Sequence, residues 1–134
     1  MKKIIVLALL LVNCFAFAQV TIKVDVMGLK NNNGQVMIGL YNTENNFLKK
    51  IFKGNAVVIK DKKVTTTFAN IPVGEYAISV FHDENSNGKL DKNFIGIPTE
   101  SYASSNGAKG FMGPPKYTDA KFEVNEDKKV VIKM

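Results

Sequence analysis

The sequence predicts an all-β domain, a seven-stranded antiparallel β-sandwich in which a long ordered loop separates the fifth strand from the sixth. Apolar residues alternate with polar ones along most of the chain, which is typical of strands with one buried face. Short polar turns rich in Asn, Asp and Gly separate these segments. Two sheets packed face to face are the usual way to bury that many half-apolar strands.

The first 18 residues differ in composition from the rest of the chain and predict a cleaved export signal. Lys2 and Lys3 precede an unbroken apolar run at residues 4–12. This run is typical of a signal peptide, and it is shorter than the roughly 20 residues that a membrane-spanning helix needs. We therefore assign residues 1–18 to the signal and residues 19–134 to a single β-sandwich domain, for which we expect no stable membrane insertion after signal cleavage.

The cleavage site is predicted from the spacing of two small residues. Ala16 and Ala18 stand at the positions that a signal peptidase reads, so cleavage after Ala18 would leave Gln19 as the new amino terminus. The alternative is a lipoprotein signal in which Cys14 is lipidated, although that processing requires a small residue where this chain has Asn13. The protein is expected to be exported, and without lipidation we expect it to be periplasmic or secreted.

The composition of the mature domain excludes some classes of partner and bond. Every positively charged side chain is lysine, and the lysines are scattered among Asp and Glu, so we expect no nucleic-acid binding. Cys14 is the one cysteine and would leave with the signal, which excludes a disulfide and thiol chemistry. Removing Lys2 and Lys3 lowers the formal net charge from +6 to +4.

The first two strands are predicted from alternation. Apolar residues at every second position of residues 20–26 and 36–40 indicate two half-buried strands. Asn-Asn-Asn-Gly at residues 31–34 is a turn signal, because Asn and Gly tolerate a positive φ. We expect the two strands to form a hairpin.

The alternation stops at residues 43–53, where we expect a short helical turn. Thr43 is a candidate N-cap for this turn. The apolar side chains expected to point inward from it are Phe47, Leu48 and Ile51.

A second hairpin is predicted from residues 56–60 and 63–68, with residues 61–62 as its turn. A tight connection at residues 71–75 then leads into the strongest strand, residues 76–82.

No regular element is predicted from residue 83 to residue 117, a loop far longer than the typical connection of about four to six residues. The last two strands, residues 120–124 and 130–134, are expected to pair through a turn at residues 125–128.

The corner at residues 68–78, Phe-Ala-Asn-Ile-Pro-Val-Gly-Glu-Tyr-Ala-Ile, resembles the F-x-x-(I/L)-P-x-G-x-Y-x-(I/V) motif of prealbumin-like modules. These modules include bacterial B-type surface repeats and the regulatory domains of carboxypeptidases. The resemblance implies a prealbumin-like sandwich in which the corner links two strands. It implies little about function.

A second resemblance covers nearly all of the mature chain. Residues 82–91, 96–100 and 113–115, together with Ala120 and Phe122, are similar to an uncharacterised bacterial family called domain of unknown function 2141. This similarity implies an exported bacterial protein. It implies no activity.

One segment of the long loop carries a pattern of oxygen donors that is typical of calcium sites. Residues 83–91 match the first nine positions of an EF-hand-type loop, and Gly88 permits the sharp bend. Ca²⁺ takes about six to eight oxygens, and side chains at alternate positions of a curling loop converge on one point. The predicted ligands are Asp83, Asn85, Asn87, Asp91 and the carbonyl of Lys89.

The pattern departs from an EF-hand at its last position. Position twelve falls on Phe94 instead of a bidentate glutamate, and a strand leads into the loop instead of a helix. In the B-type surface modules that the corner resembles, the last carboxylate comes from elsewhere, and Glu100 is the nearest candidate here, ahead of Glu84. With carboxylates only at Asp83 and Asp91 within the loop, we expect weak binding, at roughly 10⁻⁴–10⁻³ M. The alternative is that the Asn and Asp side chains make turns that fold the loop without metal.

The case for catalysis depends on a single histidine. His82 follows Val80 on the inward face of its strand, so we expect a hydrogen-bonded histidine at the strand end. The chain lacks the usual mixture of His, Cys and carboxylate ligands for zinc. We therefore expect no catalytic residues. The alternative is a hydrolase that acts on extracellular or envelope polymers through Asp83, Glu100 and His82.

The rest of the long loop is rich in aromatic residues, namely Phe94, Tyr102, Phe111 and Tyr117. We expect them to pack over the open end of the sandwich. The alternative is that their exposed faces stack on sugars or anchor a protein partner.

Together these patterns predict an exported, non-catalytic binding or structural module whose long loop is held by Ca²⁺, with an unknown protein or glycan as its partner. Besides the hydrolase, the remaining alternative is an accessory subunit whose edge strand pairs with a larger surface complex.

Overall fold

The structure is a computed structural model that describes residues 17–134. Of the predicted signal peptide, only Phe17 and Ala18 fall inside this range, and Cys14 lies outside it. Within these residues the chain forms eight strands, a 3₁₀ turn at Ser105–Gly107 and one four-residue helix, α1, at Tyr117–Ala120. The strands are β1 (Gln19–Met27), β2 (Gln35–Tyr41), β3 (Lys53–Val58), β4 (Lys63–Pro72), β5 (Gly74–Asp83), β6 (Tyr102–Ser104), β7 (Phe122–Val124) and β8 (Lys128–Lys133).

The strands form two sheets that share one core. The smaller sheet has the order β4-β1-β8, and the larger has the order β3-β2-β5-β6, with β7 also paired to β5. Side chains from both sheets, among them Ile22 and Val24 of β1 and Ile38 and Leu40 of β2, belong to a single buried apolar cluster. The prediction of an all-β fold is therefore confirmed.

The number and direction of the strands differ from the prediction. There are eight strands instead of seven, because β6 lies inside the segment predicted to have no regular element. The pairing is not wholly antiparallel, because β1 and β8 run parallel. A parallel pair needs a long crossover connection, which here is all of the chain between the first and last strands.

None of the three predicted hairpins forms. The turn at residues 31–34 carries the chain from one sheet to the other, so β1 pairs with β4 and β8, whereas β2 pairs with β3 and β5. The turn after β3 is present, with Asp61 and Lys62 at positive φ and a bridge between Lys60 and Lys63, but β3 and β4 belong to different sheets. Likewise β7 pairs with β5 and β8 pairs with β1. Alternation identifies the buried face of a strand, but it does not identify the neighbouring strand.

The segment after β2 is a series of turns and not the predicted helical turn. The backbone N–H of Asn46 donates to Thr43 Oγ1 at 3.2 Å, and Phe47 is buried as expected. Leu48, however, takes a left-handed conformation at φ 60°, which prevents a helix, and both Leu48 and Ile51 are exposed. Phe47 instead packs edge-on against Tyr41, with 5.3 Å between the ring centroids.

The corner between β4 and β5 is a tight connection, as predicted. Val73 alone separates the two strands, which belong to different sheets. The hydroxyl of Tyr76 donates to the carbonyl of Pro72 at 2.6 Å, so the side chain that follows the corner is bonded to the strand that precedes it. Both Ile71 and Tyr76 are buried in the shared core.

β5 leads directly into the candidate site. Its residues Ile78, Val80 and His82 face the core between the sheets, and Asp83 follows on the other face, where it is opposite Gln35 of β2. The chain returns through β6, which lies at the edge of the larger sheet beside β5. Ala120, predicted to be in a strand, is the last residue of α1.

Candidate functional site

Asp83 is a fully buried carboxylate that holds the start of the loop. Its Oδ1 accepts a hydrogen bond from the backbone N–H of Asn87 at 3.1 Å. Its Oδ2 accepts from the N–H of Gly88 at 2.8 Å and from Gln35 Nε2 at 2.9 Å. Burial would raise the pKa of Asp83, but the bonds from Gln35 and from the backbone N–H groups outweigh it and keep the pKa below its ordinary value. The ionised carboxylate of Asp83 therefore fixes the bend at the start of the loop through these hydrogen bonds.

The middle of the loop brings three polar side chains together. Asn85 Nδ2 donates to Asp91 Oδ2, and Asn87 Nδ2 donates to Asp91 Oδ1, each at 2.7 Å. The amide oxygens of Asn85 and Asn87 accept backbone N–H groups two residues further along, from Asn87 at 3.3 Å and from Lys89 at 2.9 Å. We call the group of Asn85, Asn87 and Asp91 the clasp.

Glu100 closes the base of the loop through the backbone. It is buried, and its Oε1 accepts the N–H of Glu84 while its Oε2 accepts the N–H of Asp91, both at 3.0 Å. The carbonyl of Asp91 in turn accepts the N–H and the hydroxyl of Thr99 at 2.9 and 3.1 Å. Glu100 thus uses both carboxylate oxygens to join the two ends of the loop, and its predicted role as a metal ligand stays a prediction.

The donor set offers a hard cation few carboxylate oxygens, so the amide and main-chain oxygens must supply the remaining ligands. No three His, Cys, Asp or Glu side chains gather closely enough to hold a metal within residues 17–134. The clasp contains the right ligand types for Ca²⁺, but its amides present nitrogen to Asp91. For an ion to bind, Asn85 and Asn87 must rotate their oxygens toward it. The loop is therefore compatible with two arrangements, a metal-free clasp and a calcium-bound one.

His82 is the hydrogen-bonded inward histidine that the sequence predicts. Its Nε2 lies 2.7 Å from the carbonyl of Asn33, and its backbone N–H donates to the carbonyl of Ser101 at 2.8 Å. Its Nδ1 is buried with no hydrogen-bond partner. Among the described residues, no hydrogen bond joins His82 to a carboxylate, so its contacts are those of a residue that ties the turn before β2 to the strand end.

Two residues that the sequence analysis overlooks complete the site. Gln35 supplies the side-chain donor to Asp83, and Gly34 lies against the backbone of Asp83 and Glu84. A Cβ on Gly34 would collide with the carbonyl oxygen of Asp83 and would lie 2.8 Å from the carbonyl carbon of Glu84. The sequence contains the signal for Gly34 as part of a turn, but its contact with Asp83 depends on the pairing of β2 with β5, which alternation alone does not predict.

A shallow groove lies beside the loop on the outer face of the larger sheet. It has a volume of 440 Å³, and its floor includes the small residues Gly39 and Ser79, which are opposite each other in β2 and β5. Met37 and Phe81 lie on the side of the groove nearest residues 83–91, where Gly88 also lines it. The groove is mostly apolar and contains no charged lining residue.

The aromatic residues of the long loop divide into two groups. Tyr117 is buried against Phe47, with 5.6 Å between ring centroids, as the packing hypothesis expects. Burial, together with the nearby negative charge of Glu75, raises the pKa of the Tyr117 hydroxyl to about 12. Phe94, Phe111 and Tyr102 are exposed, so for these three residues the expected packing is wrong.

Comparison with known proteins identifies a family and no characterised relative. A family model described as "Uncharacterized protein conserved in bacteria (DUF2141)" matches residues 24–133, which include every strand in whole or in part. No curated protein and no solved structure matches the chain. In the part of the chain that the structure describes, no helix is both long and apolar enough to cross a membrane.

Proposed function

The chain belongs to the DUF2141 family of uncharacterised bacterial proteins, and from the geometry of its long loop we propose that it is an exported, non-catalytic binding or structural module that Ca²⁺ stabilises. The observation that carries this proposal is the clasp. Asn85, Asn87 and Asp91, three of the predicted ligands, already meet through two contacts of 2.7 Å. The ends of the loop are anchored separately, by Asp83 and Glu100.

The geometry also supports the weak affinity that we propose for Ca²⁺. A cation must displace the two amide hydrogen bonds to Asp91, and rotating both amides also removes their oxygens from the backbone N–H groups of Asn87 and Lys89. These lost bonds offset part of the electrostatic gain. Two loop carboxylates are few for a calcium site, which also favours a dissociation constant of roughly 10⁻⁴–10⁻³ M.

Calcium is expected to raise the melting temperature of the purified protein. At about 10 mM Ca²⁺, a site of that affinity stabilises the folded state by about 1.4–2.7 kcal/mol. For a domain of this size the melting temperature rises by about 5–10 °C. Differential scanning calorimetry with chelator and with added Ca²⁺ measures the shift.

Asp91→Asn is the informative variant, because it keeps the size of the side chain and removes the charge at the centre of the clasp. It is expected to lose most of the calcium-dependent shift. Glu126→Gln removes an exposed carboxylate outside the loop and is expected to keep the full shift. A wild-type protein that melts at the same temperature with and without Ca²⁺ contradicts the proposal and favours the metal-free clasp.

For the binding role we propose the groove as the ligand site. Its volume of 440 Å³ is in the range of small-ligand sites, and a mostly apolar lining with few polar groups suits an uncharged ligand. Phe81 and Tyr41 line it on either side of Gly39 and Ser79, an arrangement that supports a neutral glycan unit or an apolar side chain of a protein partner.

At the level of fold, we propose a prealbumin-like sandwich. Support comes from the corner motif, which joins β4 of one sheet to β5 of the other and contains the bond from Tyr76 to Pro72. The shared core between the two sheets is what a sandwich requires.

Export is part of the proposal, and the start of the fold supports it. β1 begins at Gln19, the residue that cleavage after Ala18 would leave at the amino terminus. We expect the protein expressed in a bacterial host to have an intact mass that lacks residues 1–18, and we expect Ala18→Asp to accumulate as the uncleaved precursor. A mature form lipidated on Cys14, or an unprocessed wild-type chain, contradicts this cleavage.

A further inference from the structure

Two segments of the long loop share a pattern that the proposed function does not use. Residues 92–98 read Lys-Asn-Phe-Ile-Gly-Ile-Pro, and residues 109–115 read Lys-Gly-Phe-Met-Gly-Pro-Pro. Both follow Lys-x-Phe-apolar-Gly-x-Pro, and neither contains an acidic residue. We call these segments the two tips.

The apolar residues at the centre of each tip are almost completely exposed. Phe94 is 99% exposed and Ile95 63%, while Phe111 is 92% exposed and Met112 95%. Single exposed apolar side chains are common on proteins, but adjacent pairs of this size, repeated in the same pattern, are typical of interaction surfaces. Neither pair contributes to the core, so folding alone does not account for them.

The first tip is held in its conformation by hydrogen bonds. Asn93 Oδ1 accepts the N–H groups of Ile95 and Ile97 at 3.1 and 2.9 Å. The backbone of Asn93 also bonds to Ile97 and to Gly96, at 2.9 and 3.0 Å. A turn with this many bonds keeps Phe94 at its apex, which lowers the conformational entropy lost when the side chain meets a partner.

The second tip is constrained by close backbone contact. A Cβ on Gly110 would collide with the carbonyl oxygen of Gly113, so the chain folds back on itself within four residues. Pro115 at the end of the tip is buried. Both tips are therefore built turns that present a phenylalanine to solvent.

Both tips adjoin the same edge of the larger sheet, and exposed lysines outnumber the carboxylates that directly adjoin them. β6 is the edge strand, and one tip precedes it while the other follows the 3₁₀ turn after it. Their near ends, Pro98 and Lys109, are eleven residues apart and so lie within about 40 Å of each other. Lys92, Lys109 and Lys116, in or next to the tips, are all exposed. The one carboxylate that directly adjoins a tip is Asp91, which is half-buried and accepts hydrogen bonds from the amides of Asn85 and Asn87, so the net charge at the tips is positive.

From this combination we propose that the two tips dock the protein on an anionic lipid surface. Phe94, Ile95, Phe111 and Met112 enter the boundary between headgroups and acyl chains, and the flanking lysines meet the negatively charged headgroups. This is peripheral contact through side chains and not a membrane-spanning segment. The exposed lysines beside the tips favour an anionic lipid surface over a neutral glycan or an apolar protein pocket, because neither of those attracts positive charge. The proposal does not depend on calcium binding.

Co-sedimentation with vesicles tests the proposal, in the presence of chelator so that the outcome is independent of the calcium site. The full mature protein is expected to bind phosphatidylcholine vesicles that contain phosphatidylglycerol, to bind pure phosphatidylcholine less, and to bind more weakly at high salt. Phe94→Ser is expected to lower the partition coefficient about tenfold, and the double variant Phe94→Ser/Phe111→Ser about a hundredfold.

Val58→Ser is the matched control, because Val58 is 78% exposed and lies in β3, the edge strand on the opposite side of the same sheet. It is expected to bind vesicles like the wild type. All three substituted positions are exposed, so circular dichroism is expected to show the same fold for each variant. Two outcomes overturn the proposal: equal vesicle binding by wild type and double variant, or no vesicle binding by the wild type. In the second case, self-association that the phenylalanine substitutions abolish would identify the tips as a contact between copies of this chain.

Discussion

Asp83→Ala is expected to lower the free energy of unfolding by about 3–5 kcal/mol. The substitution leaves Gln35 Nε2 and the N–H groups of Asn87 and Gly88 without their acceptor. A buried donor that loses its partner destabilises the fold by about 1–3 kcal/mol, and bonds to a charged acceptor are the stronger kind. Urea denaturation followed by circular dichroism measures the change.

The pKa of Asp83 adds a pH dependence whose sign follows from its direction. Because the folded state holds the pKa below the ordinary value of 3.8, folding favours the ionised form, and the stability from this group is fully present above that pH. It is lost as the pH falls through the folded pKa. Asp83→Asn is therefore expected to be less stable at neutral pH and to lose less of its remaining stability below pH 3.8.

Glu126→Ala is the matched control for Asp83→Ala, because it removes an exposed carboxylate from a turn. Its effect is expected to be within about 0.5 kcal/mol, as for most surface substitutions. If Asp83→Ala were as stable as this control, the hydrogen bonds at the start of the loop would not hold the loop in solution.

The second large effect is expected at Gly34. Gly34→Ala places a methyl group against the Asp83 carbonyl and the Glu84 carbonyl carbon, and Gly34 is at φ 68°, where L side chains are strained. Neither contact atom belongs to a flexible side chain, so β2 and the loop must move apart. We expect a loss of about 3 kcal/mol or more, together with weaker hydrogen-exchange protection in residues 83–91.

Gly88→Ala separates strain from collision. Gly88 also has a positive φ, of 77°, but a Cβ there meets no atom within 4 Å. Alanine at this position should therefore lose only the backbone preference, about 1–2 kcal/mol. If Gly34→Ala and Gly88→Ala lowered the free energy of unfolding equally, the collision with the Asp83 backbone would add nothing to the destabilisation.

Much of the fold can be predicted from local patterns. Predicted strands at residues 20–26, 36–40 and 76–82 match β1, β2 and β5 to within two residues at each end. Alternation suffices here because each strand buries one face along its whole length. β6 is not predicted from alternation because it has only three residues, which are too few to show a period.

The candidate site is predictable in its members but not in their contacts. The spacing of Asp83, Asn85, Asn87 and Asp91 indicates converging side chains, and the last three do meet. The same spacing does not indicate that Glu100 binds two backbone N–H groups, since those groups are available only after the loop has closed on itself.

The two tips are only partly predictable from the sequence. Their repeated pattern is visible in the sequence, yet Phe94 and Phe111 have the same residue type as the buried Phe47. Composition predicts that an aromatic ring favours burial, and only the positions of β6 and the two turns decide that these rings lie outside the core.

By itself the sequence determines the strands, their buried faces, the turn positions and the donor types of the loop, because these depend on preferences that act over a few neighbouring residues. The tertiary structure alone decides that the predicted hairpins split between two sheets, that β1 and β8 are parallel, and that the clasp closes on Asp91. Those choices depend on which arrangement buries the most apolar surface with all backbone groups bonded. That free energy belongs to the whole chain and not to any one segment.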